Sequence, residues 1–395
     1  MQNSIKITRL IISVIIFCVV LFSNCSYLLI KYLENESTTK NNNLKSAMIK
    51  FNNGDSLLVY NYFVKTGYSG FLRGIASIGN YSYKIIIPNG LYKKYTQVPS
   101  STILKVDYNK HKLPISCNIK TGKFNYHFNY IKFYMKKLVP TGYVLWPYTS
   151  GGNIKKLIYS LNTSLNIPTE YGTIDFALID IESIEFNKRL ITLRDSTKIR
   201  ILFPVQQKQF YGYTDRYLPY TEVISGYENN GTYCAIKIED IMKINEIKSI
   251  SGEMKSAPVY NKNATLEKVI IITVGDNIDT LKNVSIVSPQ GYGTDRIVLN
   301  SLNPKWVKKS RRNVGAEDEF IDHIVIKKDN VFCPINISEI KKIIRYKSKD
   351  NVIILKDGYK ILCQYVYLGE ICGYSSTGEE KCLDYQIKSL EIIQY

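Results

Sequence analysis

The sequence predicts an all-β fold of tandem small modules, each a barrel or a sandwich, behind an N-terminal signal or membrane anchor. Three observations predict it: a strand-and-turn pattern that recurs along the chain, the scarcity of long stretches with helical spacing, and an uncharged N-terminal segment. Short stretches with three-to-four-residue apolar spacing, such as 337–344, are rich in β-branched residues and therefore favour strands.

The recurring pattern is clearest near the C-terminus. An alternating apolar segment at 352–358 ends in Asp-Gly, a Gly-Tyr pair follows at 373–374, and a closing segment spans 382–393. Glycine after aspartate tolerates the positive φ of a tight hairpin turn. In the closing segments, apolar residues alternate and then shift phase, which predicts a strand that runs into a short turn or bulge.

Five copies of this pattern are predicted, and the first is the weakest match. Two copies also share Thr-Asp-Arg after the Gly/Tyr pair, at 214–216 and 294–296. The pattern resembles the strand–Asp-Gly–strand–Gly-Tyr repeats of some bacterial envelope proteins of unassigned activity, which implies an all-β fold and no chemistry. The predicted modules span 46–112, 113–188, 189–246, 266–345 and 350–395.

The N-terminus carries Lys6 and Arg9 before a segment at 10–30 without charge. This order is typical of a secretory signal, and the segment is also long enough to cross a bilayer as a helix. Its end, Leu21-Phe22-Ser23-Asn24-Cys25, resembles the lipobox of bacterial lipoproteins.

The lipoprotein resemblance implies a signal peptide at 1–24 and lipid attachment at Cys25. A tether is predicted at 25–45, where residues 34–45 are polar and lack apolar periodicity, whereas 27–33 stay largely apolar. Phe22 and Asn24 depart from the family, which prefers leucine and a small residue there. An uncleaved signal anchor at about 10–33 and a cleaved soluble secretory signal are the alternatives. Both anchored forms predict a location in the bacterial cell envelope, with the body outside the cytoplasm.

Charge points to anionic partners. Lys and Arg number 52 against 34 Asp and Glu, a formal net charge of +18. Such an excess favours anionic envelope polymers or lipid head groups, and the export signal argues against nucleic acid. The codon bias of an AT-rich genome is the alternative explanation for the many lysines.

Two kinds of residue are candidate ligand contacts. Two are the tyrosines of the Gly/Tyr pairs in the third and fourth modules, and a tryptophan stands beside four cations in an apparent insertion of the fourth module. A Trp with neighbouring cations could contact phosphate or lipid head groups, whereas a solvated loop neutralised by the acidic residues 317–319 is the alternative. The candidates are Tyr213, Tyr292, Trp306, Lys308, Lys309, Arg311 and Arg312.

An aromatic row and the cysteines allow two interpretations each. Phe124, Tyr126, Phe128 and Tyr130 would share one strand face, either stacked on a ligand or packed in the core. The cysteines at similar module positions, Cys234, Cys333 and Cys382, predict buried thiols, although in an oxidising compartment Cys363 could bridge to Cys372 or Cys382.

No catalytic or metal-ligating constellation emerges, and no cofactor is predicted. Only three histidines occur, no CxxC pair is present, and no phosphate-binding loop or nucleophile elbow stands out. The sequence therefore predicts a membrane-tethered envelope protein that binds or scaffolds without catalysis. A carboxylate-based envelope enzyme resembling glycan hydrolases, and a structural subunit of an envelope complex, are the alternatives.

Overall fold

The computed structural model describes residues 45–394, except 67–69, 100–103, 140–154, 162–163, 203–219, 254, 259–264, 287–297, 300, 303–321, 347–349 and 384–386. Its strands form three antiparallel sheets, which confirms the all-β prediction. Within these ranges, no helix has both the length and the apolar character needed to span a membrane.

The first half of the described chain contains sixteen strands. They are β1 (Ser46–Phe51), β2 (Ser56–Lys65), β3 (Phe71–Ile78), β4 (Tyr81–Pro88), β5 (Tyr92–Val98), β6 (Ile115–Thr121), β7 (Asn125–Val139), β8 (Lys155–Leu161), β9 (Ser164–Thr169), β10 (Gly172–Ala177), β11 (Ile181–Glu185), β12 (Leu190–Leu193), β13 (Lys198–Arg200), β14 (Tyr220–Tyr227), β15 (Tyr233–Lys237) and β16 (Ile241–Ser249).

Eleven strands follow in the second half. They are β17 (Thr265–Thr273), β18 (Ile278–Ile286), β19 (His323–Lys328), β20 (Val331–Asn336), β21 (Ile340–Ile344), β22 (Asn351–Leu355), β23 (Lys360–Cys363), β24 (Tyr365–Tyr367), β25 (Ile371–Tyr374), β26 (Glu380–Leu383) and β27 (Ile387–Gln394).

Alternation and turn chemistry explain the hairpins. In β1, Ala47, Ile49 and Phe51 are buried, because successive side chains of a strand face opposite sides. The turn before β23 contains Gly358 at φ +89°, a conformation that glycine adopts without steric cost. The predicted Asp-Gly turn at 357–358 is therefore confirmed.

One strand order occurs in all three sheets: fifth, first, second, third, fourth. It is seen in β5-β1-β2-β3-β4, in β16-β6-β7-β14-β15 and in β27-β17-β18-β25-β26, which we call outer sets 1, 2 and 3. The strands of outer set 1 are consecutive in the sequence. In outer sets 2 and 3, further strands come between the second and the third.

Apart from β8, which pairs with β7, those intervening strands form two inner sets. Inner set A consists of β9 to β13, and inner set B of β19 to β24. Both sets pair with their neighbours in the same way, and we call each such pairing a joint. The fourth strand of the preceding outer set pairs with the second inner strand: β4 with β10, and β15 with β20. The fifth strand of the surrounding outer set pairs with the third inner strand: β16 with β11, and β27 with β21.

Hydrogen-bonded pairs therefore cross the module boundaries predicted at 188 and 345. β11 pairs with β12 through Ile184 and Ile191, and β21 pairs with β22 through Ile343 and Ile353. Those boundaries stay a prediction.

Short 3-10 turns explain the phase shift of the closing segments. Each joins two strands: Leu178–Asp180 joins β10 to β11, Ile238–Asp240 joins β15 to β16, and Ile337–Glu339 joins β20 to β21. The first residue of each turn is buried. Because a 3-10 turn has three residues, it resets which residues of the next strand face the core, as the sequence predicted.

Two hydrophobic clusters meet along β7 and at the β15–β20 pairing. Phe133 belongs to a cluster drawn mainly from residues 47–247, whereas its neighbour Tyr134 belongs to one drawn mainly from residues 266–392. Adjacent strand residues face opposite sides, so a single strand serves both clusters. Cys333 packs against both.

Candidate functional site

The residues predicted to contact a ligand lie outside the described residues. Tyr213 falls in the connection from inner set A back to β14, at 203–219. The others fall in the connection from β18 into inner set B: Tyr292, Trp306, Lys308, Lys309, Arg311 and Arg312. The lipid-attachment candidate Cys25 also lies outside.

Within the described residues, the main group of interacting titratable side chains surrounds Asp180, and we call it the Asp180 cluster: Tyr81, Tyr83, Lys110, His111 and Asp180. The Tyr83 hydroxyl donates to Asp180 Oδ2 at 3.3 Å, and Lys110 Nζ lies 3.3 Å from Asp180 Oδ1. Lys110 Nζ also lies 5.5 Å from the centroid of the Tyr81 ring, which stacks on Tyr83.

Three separate segments build the Asp180 cluster. The tyrosines are two residues apart on β4, Lys110 and His111 come from the 3-10 turn Lys110–Lys112, and Asp180 ends the 3-10 turn of inner set A. Nearby, Asp195 accepts a hydrogen bond from the Asn80 backbone N–H at 2.6 Å. The Asp180 contacts and this hydrogen bond thus accompany the β4–β10 pairing between outer set 1 and inner set A.

Burial shifts the pKa values in this cluster. Desolvation, with a smaller contribution from the Asp180 charge, raises the pKa of Tyr83 far above its ordinary value, and the same two causes raise that of Tyr81. Desolvation lowers the pKa of His111, although Asp175 opposes the shift. The two tyrosines are thus held as neutral hydroxyls, and His111 is held as a neutral imidazole.

These contacts suit a structural joint better than catalysis. Asp180 is 7% exposed, and it is engaged by a cation and a hydroxyl rather than directed at open space. An enzyme that cleaves glycosidic bonds needs two carboxyl groups that flank a substrate. No group of three or more His, Cys, Asp or Glu side chains in the described ranges is arranged to hold a metal ion.

The sequence did not single out the Asp180 cluster. No catalytic or ligand-binding sequence motif contains Asp180, Lys110 or His111. Asp180 is separated by 70 residues from Lys110 and by 97 from Tyr83. Only the pairing of β4 with β10 brings them together, and local patterns carry no signal for it.

A second cluster contains the last aromatic residue of the predicted row. Tyr130 and Tyr227 stack edge-to-face, with Lys255 Nζ 5.7 Å and 5.3 Å from their ring centroids. Tyr130 has φ +52°, and the pairing of β7 with β14 shifts register beside it. The aromatic pair is thus already covered by a cation of the same chain, in the arrangement that cation–π attraction favours.

The rest of the aromatic row is divided between core and surface. Phe128 is fully buried, whereas Phe124 is 39% exposed. The core interpretation therefore applies to Phe128, which faces Cys117 across the β6–β7 ladder.

The prediction of buried thiols is confirmed for Cys234, but it is wrong for Cys333, which is partly exposed, and for Cys382. Cys372 and Cys382 face each other on β25 and β26 and form a disulfide, so Cys382 is not a thiol. Cys363 remains a buried thiol next to the Asn351 carbonyl and does not bridge to either. The reason is position: β23 pairs with β22, which places Asn351, not a cysteine, opposite Cys363.

Acidification is expected to destabilise the protein through the half-buried His111 and the buried His323. Burial lowers the pKa of both His111 and His323 below the unfolded value of about 6.5. Below that value the unfolded chain binds more protons than the folded one, so stability is retained above about pH 6.5 and declines as the pH falls through it. Urea midpoints between about pH 7.5 and 5 measure the decline.

The variant His323→Gln is the comparison for this pH series. Glutamine does not titrate, so its urea midpoint should fall less steeply over the same pH window. Parallel curves for wild type and variant would show that His323 does not contribute.

Comparison with known proteins places the chain in no family. No protein-family model, no curated protein and no solved structure matches it.

Proposed function

We propose that this is an exported protein of the bacterial cell envelope, tethered to the membrane by its N-terminus, which binds or scaffolds without catalysis. The observation that carries the proposal is the repeated architecture: the same strand order in three outer sets, with two inner sets joined by the same two kinds of pairing. We take the outer and inner sets as copies of one small β module.

An array of joined modules suits binding along an extended partner. Each joint fixes the next module by strand pairing, so the modules keep a set spacing. Weak contacts held at fixed spacing combine into strong overall attachment. With a net charge of +18, an anionic envelope polymer or a layer of lipid head groups is the partner that electrostatics favours.

Two observations support export. The N-terminal order of cations, uncharged segment and Cys25 is that of an exported chain. The disulfide between Cys372 and Cys382 suits an oxidising compartment, since such bonds are rare where thiols are kept reduced.

Replacing Cys25 with alanine is expected to abolish lipid attachment. The wild-type chain should lose residues 1–24, gain the mass of the lipid and remain with the membrane, because several acyl chains anchor a protein stably. Cys25→Ala should carry no lipid mass. Intact mass and membrane partition measure both, and Cys18→Ala, which changes the other cysteine of the N-terminal segment, is the matched control. An unlipidated full-length chain in every variant would favour the signal anchor at 10–33.

Neutralising the cations beside Trp306 is expected to weaken polyanion binding. Each exposed ion pair contributes about 0.2–1 kcal/mol, so changing Lys308, Lys309, Arg311 and Arg312 to glutamine should weaken binding of polyphosphate, a soluble probe for an anionic polymer, about fourfold or more.

A matched control removes the same charge elsewhere. Changing Lys50, Lys93, Lys94 and Lys248, all exposed, to glutamine lowers the net charge equally. Titration at two salt concentrations compares the variants. Equal loss in both would mean that net charge, rather than the segment near Trp306, governs binding.

A further inference from the structure

Two thiols face each other at the joint between outer set 2 and inner set B. Cys234 lies on β15 and Cys333 on β20, and their sulfur atoms are 3.0 Å apart. The ladder pairs Ala235 with Phe332 and Ile236 with Val331, so the same register places Cys234 opposite Cys333. Non-bonded carbon atoms pack best about 3.5–4.0 Å apart, so these larger sulfur atoms are in unusually close contact.

We propose that Cys234 and Cys333 are a modification site at which a small-molecule disulfide donor, such as oxidised glutathione, converts the two thiols into a disulfide across this joint. The bond would link residues 115–249 covalently to residues 322–367. This inference goes beyond the binding role and does not depend on it.

The backbone already has the geometry that the bond requires. Facing residues of an antiparallel ladder have Cα atoms about 4.5–5.5 Å apart, within the range of natural disulfides. The sulfur atoms need to approach by only about 1 Å to reach bonding distance. Movement on that scale is available to two side chains without displacing either strand.

A disulfide between facing cysteines of neighbouring strands already occurs elsewhere in the chain. Cys382 lies on β26, the fourth strand of outer set 3, and it is bonded to Cys372, which faces it on the neighbouring strand. Cys234 lies on β15, the fourth strand of outer set 2. Corresponding strands thus place a cysteine opposite a second cysteine, although on different neighbours.

Exposure sets the order of the reaction. Cys333 is partly exposed and Cys234 is fully buried, so the donor meets Cys333 first. The Cys333 thiolate attacks one donor sulfur, the donor S–S bond breaks, and one donor thiolate leaves. Cys234 then loses its proton to water and attacks the Cys333 sulfur, which releases the second donor thiolate. In total, two cysteine thiols are oxidised and one donor disulfide is reduced to two thiols.

The second step should be faster at higher pH. In the dithiol state, the hydrogen bond with Cys333, followed by burial, raises the pKa of Cys234, and the burial remains once Cys333 carries the donor. Because the thiolate is the attacking species, closure should accelerate as the pH rises.

The bond would lie at the β15–β20 pairing, which connects two large parts of the protein. Among the described residues, β15–β20 is the one strand pairing that connects residues 46–249 with residues 265–394, and the register gives only two residue pairs for it. A ladder this short relies on packing, because each backbone hydrogen bond contributes little on its own. A covalent link would keep the two parts together when the strands separate.

Peptide mapping of the full-length protein in detergent tests the proposal. The reduced protein is exposed to oxidised glutathione, its remaining thiols are alkylated, and trypsin is added without reductant. Cleavage after Lys and Arg leaves Cys234 in peptide 217–237 and Cys333 in peptide 329–341. We expect these two peptides to be recovered as one linked species, two hydrogens lighter than their sum.

The same digest contains its own control. Peptide 361–381 should be linked to peptide 382–388 through Cys382, which proves that the oxidation worked. The variant Cys363→Ser, which changes a buried thiol elsewhere, should leave the 217–237 link intact. The variant Cys333→Ser should remove it.

Wild-type protein alone decides the outcome, so a variant that fails to fold does not obscure it. Separate, alkylated peptides 217–237 and 329–341 beside a linked 382–388 would overturn the proposal. A link from Cys234 to Cys117 or Cys363 would overturn it too. As a second measurement, the oxidised wild type should unfold at a higher temperature than oxidised Cys333→Ser, and reduction should abolish that difference.

Discussion

The variant Gly172→Ala is expected to lose at least about 3 kcal/mol of folding free energy, since an L side chain is both strained and blocked there. Gly172 has φ +122°, and a Cβ at this position would lie 2.4 Å from the Ile86 carbonyl oxygen and 3.1 Å from the Ile87 Cα. Both atoms belong to the backbone of β4, so no side-chain rotation can relieve the clash. β10 would have to move away from β4.

The matched control is Gly231→Ala. Gly231 also has a positive φ, +84°, but a Cβ there would meet nothing within 4 Å. It should therefore cost only the backbone strain, about 1–2 kcal/mol. Urea midpoints give both losses, and hydrogen exchange should show faster opening of β4 and β10 in Gly172→Ala alone. Equal losses in the two variants would mean that the β4–β10 contact adds nothing.

Local sequence patterns were enough to predict much of the fold. Alternation before an Asp-Gly pair identified the hairpin at β22–β23, and the phase shift of the closing segments indicated the short turns that the structure shows as 3-10 turns. Both signals arise within a few residues, because side-chain direction in a strand or a turn depends on local backbone geometry.

The insertion of inner sets into outer sets could not be predicted in the same way. β11 pairs with β12 and β16, which both lie outside the module predicted at 113–188. Either arrangement buries the same isoleucines, Ile181 and Ile184. Periodicity sets which face of a strand is buried, and the neighbour is decided by packing between segments far apart in the sequence.

The cysteines and the Asp180 cluster also show that local patterns do not predict contacts between distant segments. The sequence placed Cys234, Cys333 and Cys382 at similar module positions, but which of them faces another cysteine depends on the strand opposite. Asp180 likewise contacts Lys110 and Tyr83 because outer set 1 and inner set A pair there. A site assembled from separate segments leaves no local motif to find.

Truncating Phe133 to alanine is expected to cost about 3–5 kcal/mol, the usual loss for a buried phenylalanine in a packed core. Its side chain is fully buried on β7, and it faces Ile224 on β14. In the sequence, inner set A separates those two strands. A large loss of folding free energy is therefore expected only if β14 packs beside β7, although inner set A lies between them in the sequence. The strand order of outer set 2 has this arrangement.

Phe63→Ala provides the control for Phe133, because it removes the same atoms from a side chain that is 41% exposed. Phe63 contacts the Arg73 guanidinium at 5.3 Å from its ring centroid, a contribution of about 0.5–1 kcal/mol. Its urea midpoint should therefore move little, whereas that of Phe133→Ala should fall sharply. The variant Phe133→Leu should recover part of the loss, because leucine refills most of the cavity. Similar midpoints for Phe133→Ala and Phe63→Ala would rule out a packed β7–β14 interface, and with it the insertion of inner set A into outer set 2.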